Sequence, residues 1–146
     1  MIKKRTPLLI HDKLDDVEMN DRNISKKNAY RRSVLHKAVY YNGSITLIDA
    51  LIFQGANVNA QDKGAWTPLH LASKNGHLSA IKTLLEKGAD LNTKDLKHGW
   101  TPLHIAIVSK QFKAANLLLR AGSCLNICDN HGNSAQNLFE LAIREN

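Results

Sequence analysis

Long hydrophobic runs are missing from this chain of 146 residues. No stretch of about 18 apolar residues occurs, so no membrane-spanning helix is expected. Aromatic residues are scarce, at 5%, and small aliphatic side chains must do the packing. Cysteine is nearly absent. Cys124 and Cys128 are too few to staple a fold, and in an intracellular chain such a pair is expected to be reduced. The apolar stretch Leu8–Ile10 is too short for a signal-peptide core. The expected compartment is therefore the cytoplasm, the nucleus or both. Catalytic signatures are also missing: there is no Gly-rich phosphate loop, no nucleophile elbow and no H-E-x-x-H. Neither an enzyme nor a bound cofactor is expected.

What the chain does have is a hydrophobic content of 43%, a net charge of +7 and an internal repeat. The charge favours an acidic partner, a protein surface or a nucleic acid. The repeat is more informative. "WTPLH" stands at Trp66–His70 and again at Trp100–His104. His36, His70 and His104 follow at intervals of 34, each preceded by Leu and followed two residues later by Ala. Downstream, "QGANVN", "KGADLN" and "AGSCLN" recur at intervals of 33 and 34.

Each segment between these anchors has helical spacing. Counting back from Gly55, Gly88 and Gly122, apolar residues stand at minus ten (Ile45, Leu78, Phe112) and minus seven (Ile48, Ile81, Ala115). Others stand at minus four and minus three (Leu51/Ile52, Leu84/Leu85, Leu118/Leu119). Those offsets line one face of a helix, and the glycine ends it. Thr67 and Thr101 suit N-caps, and Pro68 and Pro102 suit first helical positions. Asn42-Gly43 and Asn75-Gly76 break the chain before the second helix. A unit is thus helix, turn, helix and polar loop. One unit cannot bury its apolar face alone, so the units must stack.

The pattern T-P-L-H-x-A with a period near 33 resembles the ankyrin repeat, over residues 28–146. The resemblance implies an all-α solenoid of about three full repeats plus a partial C-terminal capping repeat. Its units lie near 28–61, 62–94, 95–128 and 129–146. Residues 1–27 lack periodicity and mix charge, so they are expected to form a disordered or loosely packed tail. Lys3-Lys4-Arg5 with Lys26-Lys27 reads as solvated charge more readily than as a split nuclear import signal. The last unit departs from the pattern, with Gln136 where Leu is expected and Phe139 where Ala is expected.

Regularly spaced histidines suggest a metal site, but residues one repeat apart sit on layers about 10 Å apart, whereas zinc needs its nitrogen ligands at about 2.0–2.1 Å. The resemblance implies instead that these histidines brace the turn by hydrogen bonding. Cys124, Cys128 and His131 lack the second ligand pair of a structural zinc site, so no metal is expected. Asn59, Asn92 and Asn126 are expected to hydrogen-bond within their loops. The resemblance adds asparagine hydroxylation as a minor role.

By the same resemblance, binding belongs to the concave groove and loop tips. The candidate partner-binding residues are Arg32, Tyr40 and Tyr41 in unit one. Unit two supplies Lys63, Trp66, Ser73 and Lys74, and unit three supplies Lys97, His98, Trp100, Ser109 and Lys110. Trp, Tyr and Arg are the types that dominate protein interfaces, although each Trp could equally shield its own loop. The expected function is a non-catalytic, monomeric module that binds a protein partner, as an inhibitor rather than an adaptor. The longer lead-in "DLKHGWTPLHIAI" to unit three is similar to the K-S-G-x-T-x-L-H lead-in of the IκB-type inhibitors of Rel/NF-κB factors. No D-S-G-x-x-S degradation signal precedes it, so that likeness implies a constitutive form. The small cyclin-dependent kinase inhibitors share the size and repeat number. Nucleic-acid binding is the other class, prompted by charge alone, since no recognition helix or aromatic sheet motif accompanies it.

Overall fold

The computed structural model describes residues 32–42 and 44–145. The expected tail over 1–27 and its basic clusters lie outside the described residues. Within them the fold is seven helices: α1 (Val34–Tyr40), α2 (Ile45–Phe53), α3 (Pro68–Asn75), α4 (Leu78–Glu86), α5 (Pro102–Val108), α6 (Phe112–Arg120) and α7 (Ala135–Arg144). Among the described residues the only β pairing is an isolated antiparallel bridge between Cys128 and Ser134.

The helices form two rows. The inner row is α1, α3, α5 and α7, each packed on the next, and the outer row is α2, α4 and α6. Leu35, Leu69 and Leu103 are fully buried between inner helices. Ala38, Ala72 and Ala106 are equally buried, and their small size fits the close approach of neighbouring helices.

Each inner helix starts with a reciprocal cap. The hydroxyls of Ser33, Thr67 and Thr101 accept the N–H groups of His36, His70 and His104, while each histidine Nδ1 accepts the N–H of its cap residue at 3.1–3.2 Å. Unit four repeats the device with different residues. Ser134 Oγ accepts from Asn137 N, and Asn137 Oδ1 accepts from Ser134 N at 3.0 Å. Asparagine thus replaces histidine without loss of the cap.

The turn between inner and outer helix needs one left-handed residue. Asn42 (φ 55°) and Gly76 (φ 70°) take that conformation, and Lys110 (φ 58°) takes it in unit three. Gly55, Gly88 and Gly122 end the outer helices at φ 104°, 93° and 108°.

One expectation about the outer helices needs correction. Ile48/Leu51 and Ile81/Leu84 are fully buried, as are Ala115 (3%) and Leu118. The residue after each leucine is not. Ile52 and Leu85 are half-buried, and Leu119 is 37% exposed. A step of 100° around the helix turns that position toward the next repeat rather than into the two-row core.

Candidate functional site

The loop tips are built around three aspartates that sequence reasoning overlooked. Asp62 Oδ1 accepts the N–H groups of Gly64 and Trp66 at 2.9 and 2.8 Å. Asp95 Oδ1 accepts from His98 and Trp100, and Asp129 Oδ1 from His131 and Asn133. Each aspartate N–H also donates across its loop, to Trp66, Trp100 or Asn133. Each loop therefore closes on one short acceptor side chain, as Asx turns do. Their spacing of 33 and 34 residues matches that of Gly55, Gly88 and Gly122 and could have revealed them. The extra residue of unit three falls between Asp95 and Trp100, where Gly99 takes φ 71° against the side chain of Asn130.

The loops are also tied to one another. The Nε2–H of His36, His70 and His104 donates to the carbonyls of Trp66, Trp100 and Asn133 at 2.7, 3.1 and 3.2 Å. Because Nδ1 already accepts a backbone N–H, the ring must be the neutral Nε2–H form. Burial holds His70 and His104 below the ordinary histidine pKa, outweighing the carbonyl and carboxylates that favour the cation. Burial pushes Asp129 the other way, but hydrogen bonds from Asn133, Trp100 and His131, with His104 nearby, together hold it below the usual carboxylate value.

Both tryptophans take part in these joints. Trp66 Nε1 donates to Asp95 Oδ2 at 3.2 Å, and Trp100 Nε1 to Asp129 Oδ2 at 3.0 Å. The polar edge of each indole is thus fixed to the next repeat. Its face is less committed: Lys74 Nζ lies 5.7 Å from the Trp66 ring centre, and His98 stacks on Trp100 at 4.0 Å. Asn59 bridges units as well, donating to Gly88 O and accepting from Asp90 N, while Asn92 Oδ1 accepts from Cys124 N.

Five of the sequence-nominated residues converge. Arg32, Tyr40, Lys63, Trp66 and Lys74 line one cavity of about 330 Å³ that also borders Asp62. Arg32 pairs with Asp62 at 3.1 Å and lies 5.6 Å from the Tyr40 ring centre. Lys63 and Lys74 are exposed. Aromatic faces and cations thus share one basin between units one and two.

The other nominees are distributed differently. Lys97, His98 and Trp100 form a second cluster at the unit-three tip, with Lys97 exposed. Tyr41 packs edge-on against Tyr40 at the far end of α1. Ser109 and Lys110 lie in the α5–α6 turn, where Lys110 borders a cleft with Gly76, Leu78 and Phe112 instead of the basin. Ser73 is a correction: it is fully buried, and its Oγ donates to Leu69 O at 2.7 Å. A hydroxyl can return to the carbonyl one turn earlier, and that bond leaves Ser73 nothing to offer a partner. Cys124 is half-buried and Cys128 exposed. Among the described residues no group of three or more His, Cys, Asp or Glu is close enough to hold a metal ion. No helix there is long and apolar enough to cross a membrane.

Comparison with known proteins agrees with this geometry. The family model for ankyrin repeats matches residues 35–129 in three copies. The mouse ankyrin repeat and SOCS box protein 12 is 39% identical over 70 residues, covering 45% of this chain and 23% of that protein. The mouse RelA-associated inhibitor is 35% identical over 82 residues, covering 56% of this chain and 10% of that protein. The human protein phosphatase 1 regulatory subunit 27 is 34% identical over 58 residues, covering 40% and 37%. The chain therefore matches well under half the length of each of these relatives.

Proposed function

Since the chain belongs to the ankyrin-repeat family, whose members are generally non-catalytic interaction modules, we propose that it binds a protein partner along its loop tips and concave face, as an inhibitor without catalysis of its own. The observation that carries this is the basin of Arg32, Tyr40, Lys63, Trp66 and Lys74. It presents apolar area beside unburied positive charge, and the joints beneath it hold it rigid, so little ordering entropy opposes binding. An acidic surface with an aliphatic or aromatic anchor would complement it. The likeness to the RelA-associated inhibitor and the lead-in to unit three support an IκB-type target among the Rel factors.

The test is affinity purification with mass spectrometry, using the wild type beside a Lys63→Glu, Lys74→Glu double variant. A partner enriched by the wild type and lost by the variant supports the assignment. Equal recovery by both removes the basin as the binding site. A Rel factor among the lost partners would carry the finer reading, and its absence would end it. Nucleic-acid binding, suggested by the charge of +7, predicts affinity for duplex DNA that falls with salt. A titration at about 50 mM salt without binding removes that class.

A further inference from the structure

Units two and three each leave two matching positions open, one directly after the loop aspartate and one seven residues after the cap of the inner helix. In unit two these are Lys63, after Asp62, and Lys74, after Thr67. Both are exposed, and both line the basin. In unit three they are Leu96, after Asp95, and Val108, after Thr101. Leu96 is 70% exposed and Val108 44%. Two cations in one repeat thus give way to two aliphatic side chains in the next. The loops join the two pairs: Leu96 N–H donates to Gly64 O at 2.9 Å, and Gly64 lines the basin beside Lys63. Unit three lies inside the stack, with α5 packed between α3 and α7. Its open leucine and valine therefore do not result from a missing neighbour.

The surroundings sharpen this contrast. The side chains of Asp62 and Asp95 are buried and engaged elsewhere, Asp62 Oδ2 with Arg32 Nε and Asp95 Oδ2 with the indole N–H of Trp66. Lys97, next to Leu96, is a further exposed cation. His98 covers one face of Trp100 at 4.0 Å, so apolar contact at unit three falls to Leu96 and Val108. We propose that this surface holds an extended acidic segment of a partner protein, with carboxylates over Lys63 and Lys74 and an aliphatic pair one repeat further on, over Leu96 and Val108. This rests on the basin as the binding site and adds the order and spacing of what binds there. Neighbouring repeats are about 10 Å apart. A polyproline II segment advances about 9.3 Å in three residues and returns to the same face, so the acidic and aliphatic residues stand three apart. A helix is about 10 Å across, whereas the basin of about 330 Å³ holds a side chain or two. A nucleic acid fits less well, because its charge repeats evenly and half of these open positions are aliphatic.

The probe is the heptapeptide Gly-Glu-Glu-Pro-Leu-Leu-Gly, blocked at both ends, beside its reversed sequence, since either chain direction satisfies the spacing. Binding to the full chain is followed by amide chemical shifts. The expected result is saturable shifts at Lys63, Lys74, Leu96 and Val108 with one of the two peptides, weakened by salt. Replacing both glutamates by glutamine, or combining Lys63→Glu with Lys74→Glu, should abolish them. Leu96→Ser with Val108→Ser should weaken binding about tenfold, as loss of apolar anchors does, and leave the unfolding midpoint unchanged, since both side chains are exposed. Full affinity in that variant, with loss in the lysine variant, would overturn the inference and leave the basin standing. Binding that survives the lysine variant would overturn both. No shifts with either peptide would overturn the inference alone, because partner capture tests the basin separately. Tighter binding at the same amides by a stapled helix with glutamate and leucine seven apart, or by duplex DNA, would overturn it too.

Discussion

His70 joins three things at once: its backbone N–H meets Thr67, its Nδ1 returns to the Thr67 N–H, and its Nε2–H reaches the next repeat. Burial already holds this imidazole below its ordinary pKa. The sign of the pH effect follows. Above about 6.5, the unfolded-chain value, the ring is neutral in both states and its stabilisation is complete. As pH falls below that value the unfolded chain takes up protons first, so stability declines until pH passes the lower folded value. The midpoint of urea unfolding should therefore drop between pH 7.5 and 5.5. Asn137 shows that asparagine can make the same cap, so a His70→Asn, His104→Asn double variant should keep its fold and flatten that slope. An unchanged slope would place the pH sensitivity elsewhere. The histidine register was legible in the sequence because repetition exposes it. The aspartates, just as regular, went unread because a loop carboxylate looks like solvent-facing charge until its two N–H donors are seen.

Helix periodicity located the three outer helices, and Thr-Pro pairs marked the starts of two inner ones, but the periodicity assigned burial too generously. Offsets of minus four and minus three both lie on the apolar side, and only packing tells the core position from the inter-repeat position. Leu84→Ala should cost about 2–5 kcal/mol, as truncation of a fully buried leucine does. Leu85→Ala, at a half-buried position, should cost clearly less. Denaturant midpoints of the two variants measure the difference, and equal losses would contradict the burial pattern. The turns offer a second comparison. Lys110 holds a left-handed conformation that costs a residue with a Cβ about 1–2 kcal/mol, whereas unit two uses glycine there. Lys110→Gly should raise the midpoint of thermal unfolding, with the gain trimmed by the extra freedom of glycine in the unfolded chain. A lower midpoint would mean that the lysine side chain contributes contacts the turn geometry does not explain.

At the scale of the molecule, stacking was legible because no single unit could bury its own apolar face. The candidate site was less so. Five nominated residues meet in one basin, yet Ser73 faces inward and Lys110 belongs to a different cleft. A one-letter code places residues on a unit, whereas rotation about each helix decides which of them share a surface. Lys97 is exposed at the unit-three tip, so Lys97→Ala should change the unfolding midpoint little. If that tip takes part in binding, calorimetry against an identified partner should show weakened affinity. One feature of the joints reaches beyond stability. The side-chain ties of histidine, tryptophan and asparagine all run from a unit to the one after it, through the same atoms each time. Such a chain behaves like a row of identical couplings. Removing residues 67–100 would leave "WTPLHIAIV" unchanged across the splice and allow the couplings to re-form, His36 to Trp66 and Trp66 to Asp129. The shortened protein should fold with a lower melting temperature and an intact cooperative transition, seen by calorimetry and circular dichroism. Unequal crossing-over between the two WTPLH tracts would make the same cut in a single genetic event, so the length of this stack is open to change while its grammar is kept.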